Sequence, residues 1–340
     1  MNGTNISDES EWEWAPFMWT WWVIVQLVLS ITGMVGNLLV IAVIVRRRRP
    51  VQFTANVLIG SLSVADFLTS FWMIPRPSFI TVPPNWKGML YCRIEYSNIL
   101  MWISVVASVF ILTVISVERL VAVKYPFRFR FLFTVKRSVR LVGMSWLGSA
   151  ILNLYILTIS SHDSMHYTCV TKFPTRGVHV TAGVLLFMFE YLIPVSIMTG
   201  SHFAIIRELH ALARSFQVNG HVPPPSLKLL QTKQRMTRTV LIVVVTYIVC
   251  WSPDQICFFL FNLDLYRTFL YSDLYRIFVC LAFVYSCSNP IIYSVRNKKF
   301  RTALFEFLCV SPSKKKKASL DKNFSSLKQL TLRQNTFGPR

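Results

Sequence analysis

Apolar residues in this chain come in long blocks, without the short alternations that mark a sheet. Seven windows hold about 20 or more largely apolar residues, the length a helix needs to cross hydrocarbon. They run from Phe17 to Val45, Phe53 to Pro75, Leu90 to Val123, Val139 to Ile159, Val178 to Ile206, Thr237 to Leu263 and Phe269 to Val295. No series of ten-residue alternating strands is present, and a lipid-exposed span must satisfy its own backbone hydrogen bonds, so helices are predicted. The expected fold is an all-α membrane protein whose seven-transmembrane helix bundle covers residues 17–295. Beyond it, Arg296 to Leu308 interleaves bases with Phe300, Leu304, Phe305, Phe307 and Leu308. That spacing suits a short amphipathic eighth helix on the membrane surface, over residues 296–309. Residues 310–340, with Lys314 to Lys317 and several serines, have little to pack and are expected to form a disordered basic tail.

Composition agrees: 53% of the 340 residues are hydrophobic and 15% charged, too apolar for one ordinary soluble core. A net charge of +21 raises the question of nucleic acid, and its placement answers it. Four bases lie in Arg46 to Arg49, seven in Arg119 to Arg140, six in Arg207 to Arg238 and twelve in Arg296 to Arg340, so 29 of 36 fall on one side of the spans. Arg76, Lys87, Arg93, Lys172, Arg176, Arg267 and Arg276 fall on the other. The positive-inside rule then predicts a multi-pass plasma-membrane protein with its N-terminus outside and its C-terminus in the cytosol. The charge faces anionic lipid and cytosolic partners, and no nucleic acid is expected.

The N-terminal residues 1–16 are acidic, with Asp8, Glu9, Glu11 and Glu13, and carry two sequons that make Asn2 and Asn5 glycosylation candidates. No basic segment with a small-residue cleavage site precedes the first span, which is expected to act as an uncleaved anchor. Its Trp19, Trp21 and Trp22 suit the headgroup belt. Cys92 and Cys169 both fall on the oxidising side, where a disulfide is expected. Cys250, Cys257, Cys280 and Cys287 lie within spans as small hydrophobes, and Cys309 is a palmitoylation candidate.

Polar residues inside the apolar blocks carry the chemistry, because a charge at membrane depth is costly unless it is used. Glu118 and Arg119 sit at the mouth of span three, each the other's first partner; the plainer alternative is an arginine that only anchors its helix in headgroups. Asp66 must face the bundle interior, where Asn37, Ser108 and Asn289 are placed to hydrate it or to help it hold a small cation. A protonated, purely structural acid is the alternative. Pro253 and Pro290 interrupt the hydrogen-bond ladders of spans six and seven.

The ordered set Gly36-Asn37, Leu62 with Asp66, Cys92 with Cys169, Glu118-Arg119 with Pro126, Trp146, Pro194, Cys250-Trp251 with Pro253, and Asn289-Pro290 with Tyr293 and then Phe300 resembles the rhodopsin-like (class A) G-protein-coupled receptors. It spans about residues 17–309, with a motif in every span. The resemblance implies a receptor and not an enzyme. Glu118, Arg119, Trp251, Pro253, Asn289, Pro290 and Tyr293 would form the switch that couples to a heterotrimeric G protein, with Glu118 holding Arg119 at rest. Asp66, Ser108 and Asn289 would form an allosteric sodium site, the one ion expected in a chain without other cofactors.

Four departures from the family's pattern stand out. Leu120 replaces the usual tyrosine after the Glu-Arg pair. Cys92 stands 27 residues before Arg119, two more than usual, so either the start of span three bulges or the cysteine sits in the loop. His202 replaces the tyrosine eight residues after Pro194, and Lys233 stands where some members place an acid to lock the arginine, which suggests basal activity.

Met101 occupies the place of the amine receptors' aspartate and Phe283 that of the retinal lysine, which argues against an ordinary amine receptor and an opsin. The expected ligand pocket is Met101, Trp102, Val105, Glu190, Tyr191, Trp251, Asp254, Gln255, Phe258 and Tyr285. Trp251, Asp254 and Phe258 share one helical face. The natural partner of Asp254 and Glu190 is a ligand cation, on a peptide or an unusual amine, passing the acids Glu95, Asp264 and Asp273 on its way in. Alternatively, Asp254 and Gln255 simply hydrogen-bond within the bundle and Glu190 faces a lipid-side water. Serines and threonines from Ser311 to Thr336 are candidate kinase targets for arrestin recruitment. No inverted repeat suggests a transporter, the six histidines form no catalytic motif, and a non-signalling receptor of the same fold is the closer alternative.

Overall fold

The computed structural model describes residues 12–46, 53–218, 224–296 and 298–308. Among the described residues, seven helical segments are long and apolar enough to cross a membrane: span one Trp21–Arg46, span two Thr54–Trp72, span three Trp86–Lys124, span four Val135–Ile159, span five Arg176–Arg214, span six Thr237–Asn262 and span seven Asp273–Arg296. They form one antiparallel bundle in which span three runs through the middle. Most of span three's side chains are buried, from Ile99 to Glu118, whereas span one turns Ile24, Val28, Ile31, Val35 and Leu38 outward. Exposed apolar side chains of that kind are the surface a lipid solvent covers. Small polar residues in the spans bond back to the carbonyl four residues earlier, as Thr69 does to Ala65 (2.9 Å), Ser116 to Leu112 (3.0 Å) and Thr113 to Val109 (2.9 Å). This satisfies hydroxyls that would otherwise be stranded in a dry interior.

Several boundaries differ from the sequence expectation. Phe269–Tyr271 is a separate 3₁₀ turn, and span seven begins only at Asp273, because Ser272 breaks the helix and its hydroxyl accepts from the Tyr275 amide (3.2 Å). The two extra residues ahead of Arg119 are absorbed by a π-helical stretch, Tyr91–Tyr96, and by Asn98 in the left-handed region at φ 53°. Span three therefore bulges and Cys92 stays within it. Strand pairs also occur outside the spans, which an all-helical expectation omits. β1 (Glu13–Trp14) pairs antiparallel with β2 (Phe79–Thr81), and β3 (Ser160–Asp163) with β4 (Thr168–Thr171). At the turn of the second pair, hydrogen bonds from His166 and then from the Met165 amide hold the Asp163 carboxyl below its ordinary pKa. That contribution is present above the ordinary carboxylate range and is lost as pH falls through the lowered value.

Cys92 and Cys169 are disulfide-bonded, which ties β4 to the start of span three. After span seven, an 11-residue helix covers Lys298–Leu308, with Phe300 6.4 Å from the Tyr293 ring and Phe307 beneath the Arg46 guanidinium at 5.6 Å. Spans five and six approach closely at Gly183. A β-carbon there would stand 2.2 Å from Asn262 Cβ and 2.7 Å from its Cγ, and Asn262 is held by its own bond to the Phe258 carbonyl (2.7 Å). Gly183→Ala is therefore expected to cost about 1–3 kcal/mol by overpacking and to lower the melting temperature of the solubilised protein. Gly143→Ala, with nothing within 4 Å, serves as the neutral control. Equal melting temperatures for the two would show that spans five and six part freely.

Candidate functional site

At the end of the bundle where span three closes, the Arg119 guanidinium donates from Nη2 to Glu118 Oε1 (2.8 Å), while its Nε contacts the second carboxylate oxygen. Glu118 is fully buried and the Arg119 side chain is 14% exposed, so of the two side chains Arg119 is the one that reaches the surface. Tyr293, from span seven, is buried with its ring 6.4 Å from that of Phe300. His202 is buried too, with Nδ1 bonded to the Met198 carbonyl (2.9 Å) and Nε2 without a partner. Among the described residues, nothing covers Phe127 and Phe131 of the helix Pro126–Leu132, which project with 86% and 75% of their surface exposed.

Midway along the bundle, Asp66 is completely buried and accepts two hydrogen bonds, from Ser108 Oγ to one oxygen and from Asn289 Nδ2 to the other, both 2.7 Å. Asn37 makes no direct hydrogen bond to Asp66, and its Oδ1 is buried without a partner. Its amide donates to the carbonyls of Gly33 and Ser286 (3.0 Å each) and so bolts span one to span seven. The oxygens gathered here are the Asp66 carboxylate, the Ser108 hydroxyl and the Asn289 amide oxygen, which is buried without a partner. A donor set of oxygens around a single carboxylate fits a hard cation of low charge.

Pro253 and Pro290 both lie inside continuous helices. Each removes a backbone donor, leaving the carbonyl four residues earlier to find another partner and the helix free to bend. Trp251 packs just below Pro253, 3% exposed, with its ring centroid 6.4 Å from both Tyr247 and Phe283.

At the opposite end from Arg119 a cavity of about 1340 Å³ opens between the spans, and Met101, Trp102, Glu190, Asp254, Gln255 and Phe258 line it. Glu190 Oε1 and Asp254 Oδ1 are buried without a hydrogen-bond partner. Asp254 is only 4% exposed, and neither acid has an ion-pair partner among the described residues. An unpaired carboxylate in such surroundings costs several kcal/mol, roughly, relative to water, and no side chain among the described residues offsets that cost by an ion pair. The floor of the cavity meets the buried rings around Trp251, and the Pro253 bend stands between it and the Arg119 end. Two faces, one bendable helix and one buried acid at the midpoint thus lie in a single connected column of packed side chains.

Residues 36–293 match the family described as 7 transmembrane receptor (rhodopsin family). The chain belongs to that family. It is a multi-pass G-protein-coupled receptor of the plasma membrane, a signalling protein and not an enzyme. It is similar to galanin receptor 2a of Danio rerio, with 27% identity over 289 residues, 82% of this chain and 76% of that receptor. The galanin receptor type 1 of Mus musculus shares 27% identity over 278 residues, 80% of this chain and 76% of that receptor. The allatostatin-A receptor of Bombyx mori shares 26% over 294 residues, 84% and 78% respectively.

Four of the expected pocket residues do not line the receptor's cavity. Val105, Tyr191, Trp251 and Tyr285 are buried beneath it, between 1% and 7% exposed. Tyr285 turns toward Tyr247 (5.4 Å, edge to face), and Tyr191 bonds to the Ser252 hydroxyl, because these rings fill the seam between spans five, six and seven. The expected acidic approach is also corrected. Glu95 pairs with Arg76, Asp264 with Arg176 (2.9 Å), and Asp273 with Arg276 (2.9 Å), so these three rim acids are already paired with local bases, whereas among the described residues Glu190 and Asp254 have no ion-pair partner. Sequence reasoning missed His179, which stacks on Phe173 (4.3 Å) with a buried, unpartnered Nε2 and lines the cavity. It also missed the contribution of residues 15–20 to the cavity wall. An aromatic-rich N-terminal segment was the available signal for the latter. Asn2, Asn5 and Cys309 lie outside the described residues, and the side chain of Lys233 is likewise outside them.

Proposed function

We propose that this receptor is activated from outside the cell by a peptide carrying a basic group, which Asp254 and Glu190 hold at depth. The observation that carries the reading is the pair of buried, partnerless carboxylates in one cavity. Volume favours a peptide over a small amine, since about 1340 Å³ exceeds the roughly 300–1,000 Å³ of ordinary small-ligand clefts. Similarity to receptors named for galanin and allatostatin-A supports the same class. The N-terminus faces outward by the distribution of bases, with Asn2 and Asn5 as glycan acceptors. The amphipathic helix Lys298–Leu308 suits the inner lipid face, Cys309 is the candidate for palmitoylation there, and tail serines offer phosphorylation sites for receptor kinases and hence arrestin docking.

Activation is a shift between two states of the bundle, and the ligand contributes only its differential affinity for them. A cation between spans five and six draws Glu190 and Asp254 toward it and changes the load on Trp251 and the Pro253 bend. At the other end, separation of span six from span three frees Arg119 from Glu118 for the G protein. A sodium ion held by Asp66, Ser108 and Asn289 would supply positive charge at the midpoint and favour the resting arrangement. The test is a screen of cells expressing the receptor with separate pools of basic peptides, the same peptides with lysine replaced by acetyl-lysine, arginine by citrulline and the N-terminus acetylated, and small amines. Activation by the first pool alone is expected. Activation by the second pool, or by small amines alone, would overturn the reading.

A further inference from the structure

The chain's own N-terminal segment reaches the ligand cavity. Ala15, Pro16, Phe17, Met18 and Thr20 line it, and the Thr20 hydroxyl is buried there with no partner. This segment is not left to drift above the bundle. β1 pairs with β2, the Ala15 amide donates to the Ser78 carbonyl (2.9 Å), and the Thr81 hydroxyl donates to Glu13 (3.1 Å).

Aromatic rings close the attachment. Phe79 sits between Trp12 (4.5 Å) and Trp14 (4.0 Å), and Tyr91, at the start of the span-three bulge, meets Trp12 at 5.5 Å and Phe79 at 5.2 Å. Immediately after β2, the Val82 amide donates to the Tyr167 carbonyl (2.7 Å) and the Val82 carbonyl accepts from His162 (2.7 Å). The segment is thereby joined through β2 to the disulfide-anchored β3–β4 hairpin. The attachment joins residues far apart in sequence through one short strand pair and four rings. Such an assembly is strong enough to form at rest and weak enough to open locally, since each aromatic pair adds little beyond its buried area.

We infer that residues 12–20 are a strap, clasped at Phe79, that forms one wall of the ligand site and controls access to it. Phe17 and Met18 offer that wall an apolar contact and Thr20 a hydrogen bond, so the ligand the strap admits carries an apolar group beside its basic one. This rests on the reading of the cavity as the ligand site, but its test needs no ligand.

Cys280 lines the same cavity with a free, half-buried thiol and reports access to it. Its labelling rate by a trimethylammonium-ethyl methanethiosulfonate is measured on intact cells, with Cys280→Ser subtracting reaction at other cysteines. Trp12→Ala/Trp14→Ala, which alters only the strap, is expected to raise the rate at least five-fold. Phe79→Ala, which removes the clasp from the loop side, is expected to match it, and Phe79→Tyr to remain like the parent. A rate unchanged by the double substitution at normal surface expression, including no detectable labelling in either form, overturns the strap. A separate comparison isolates the acids: Asp254→Asn/Glu190→Gln should slow the cationic reagent relative to a neutral one of similar size. Loss of that charge preference without loss of strap dependence, or the reverse, tells failure of one reading from failure of the other.

Discussion

Receptor carrying Arg119→Ala is expected to bind its agonist and yet fail to speed GDP release from a G protein, with the agonist-driven rate falling at least about ten-fold, equivalent to roughly 1.4 kcal/mol. The reason lies in where the charge sits. Glu118 is fully buried, whereas part of the Arg119 side chain reaches the surface, so of the two the arginine is the one placed to meet a partner. Removing it also strands a buried carboxylate, which costs stability on its own account. Glu118→Gln separates the two effects. It weakens the charge-assisted bonds that retain the guanidinium while leaving Arg119 present, so basal GDP release should rise while agonist response persists. Measured on purified receptor in lipid discs, activity raised by Glu118→Gln and lost with Arg119→Ala identifies a restrained coupling group. Full activity in Arg119→Ala would leave the pair with a structural role only.

Asp254→Asn and Glu190→Gln should each lower the potency of a basic peptide agonist by roughly 30-fold or more, the lower end of about 2–5 kcal/mol for removing one member of a desolvated charge pair. Both replacements keep the shape and remove the charge. The same substitutions should raise the melting temperature of the ligand-free receptor, because each relieves an acid that is buried without a partner. Opposite signs in the two measurements are what a binding acid predicts. A packing acid would lose stability on substitution and leave potency alone. The double variant adds a further reading: shifts that sum point to two cationic groups on the ligand, whereas a double shift no larger than either single one points to a single cation shared by both acids.

Much of this molecule was legible before any coordinates. Seven apolar windows of membrane-spanning length became seven spans, and the order of motifs placed Glu118 beside Arg119, Asp66 beside Ser108 and Asn289, and Cys92 opposite Cys169. The pocket was legible only in part. Met101, Trp102, Glu190, Asp254, Gln255 and Phe258 reach the cavity, but helical spacing could not show that Tyr285 and Tyr191 turn into the seam between spans, since rotation of a helix by a fraction of a turn decides it. Nor could it show which acids are bare. Asp264 and Asp273 carry the same charge as Asp254, yet they meet Arg176 and Arg276 at the rim while Asp254 meets none.

The amino-acid sequence by itself determined the number of spans, because a crossing helix needs length and hydrophobicity along the chain, and both are local quantities. Tertiary structure alone decided which charges are paired, which rings line the cavity and where the N-terminal segment rests. Those depend on contacts between residues distant in sequence, such as Glu13 with Thr81 and Trp12 with Phe79, and no pattern along one segment records the approach of another.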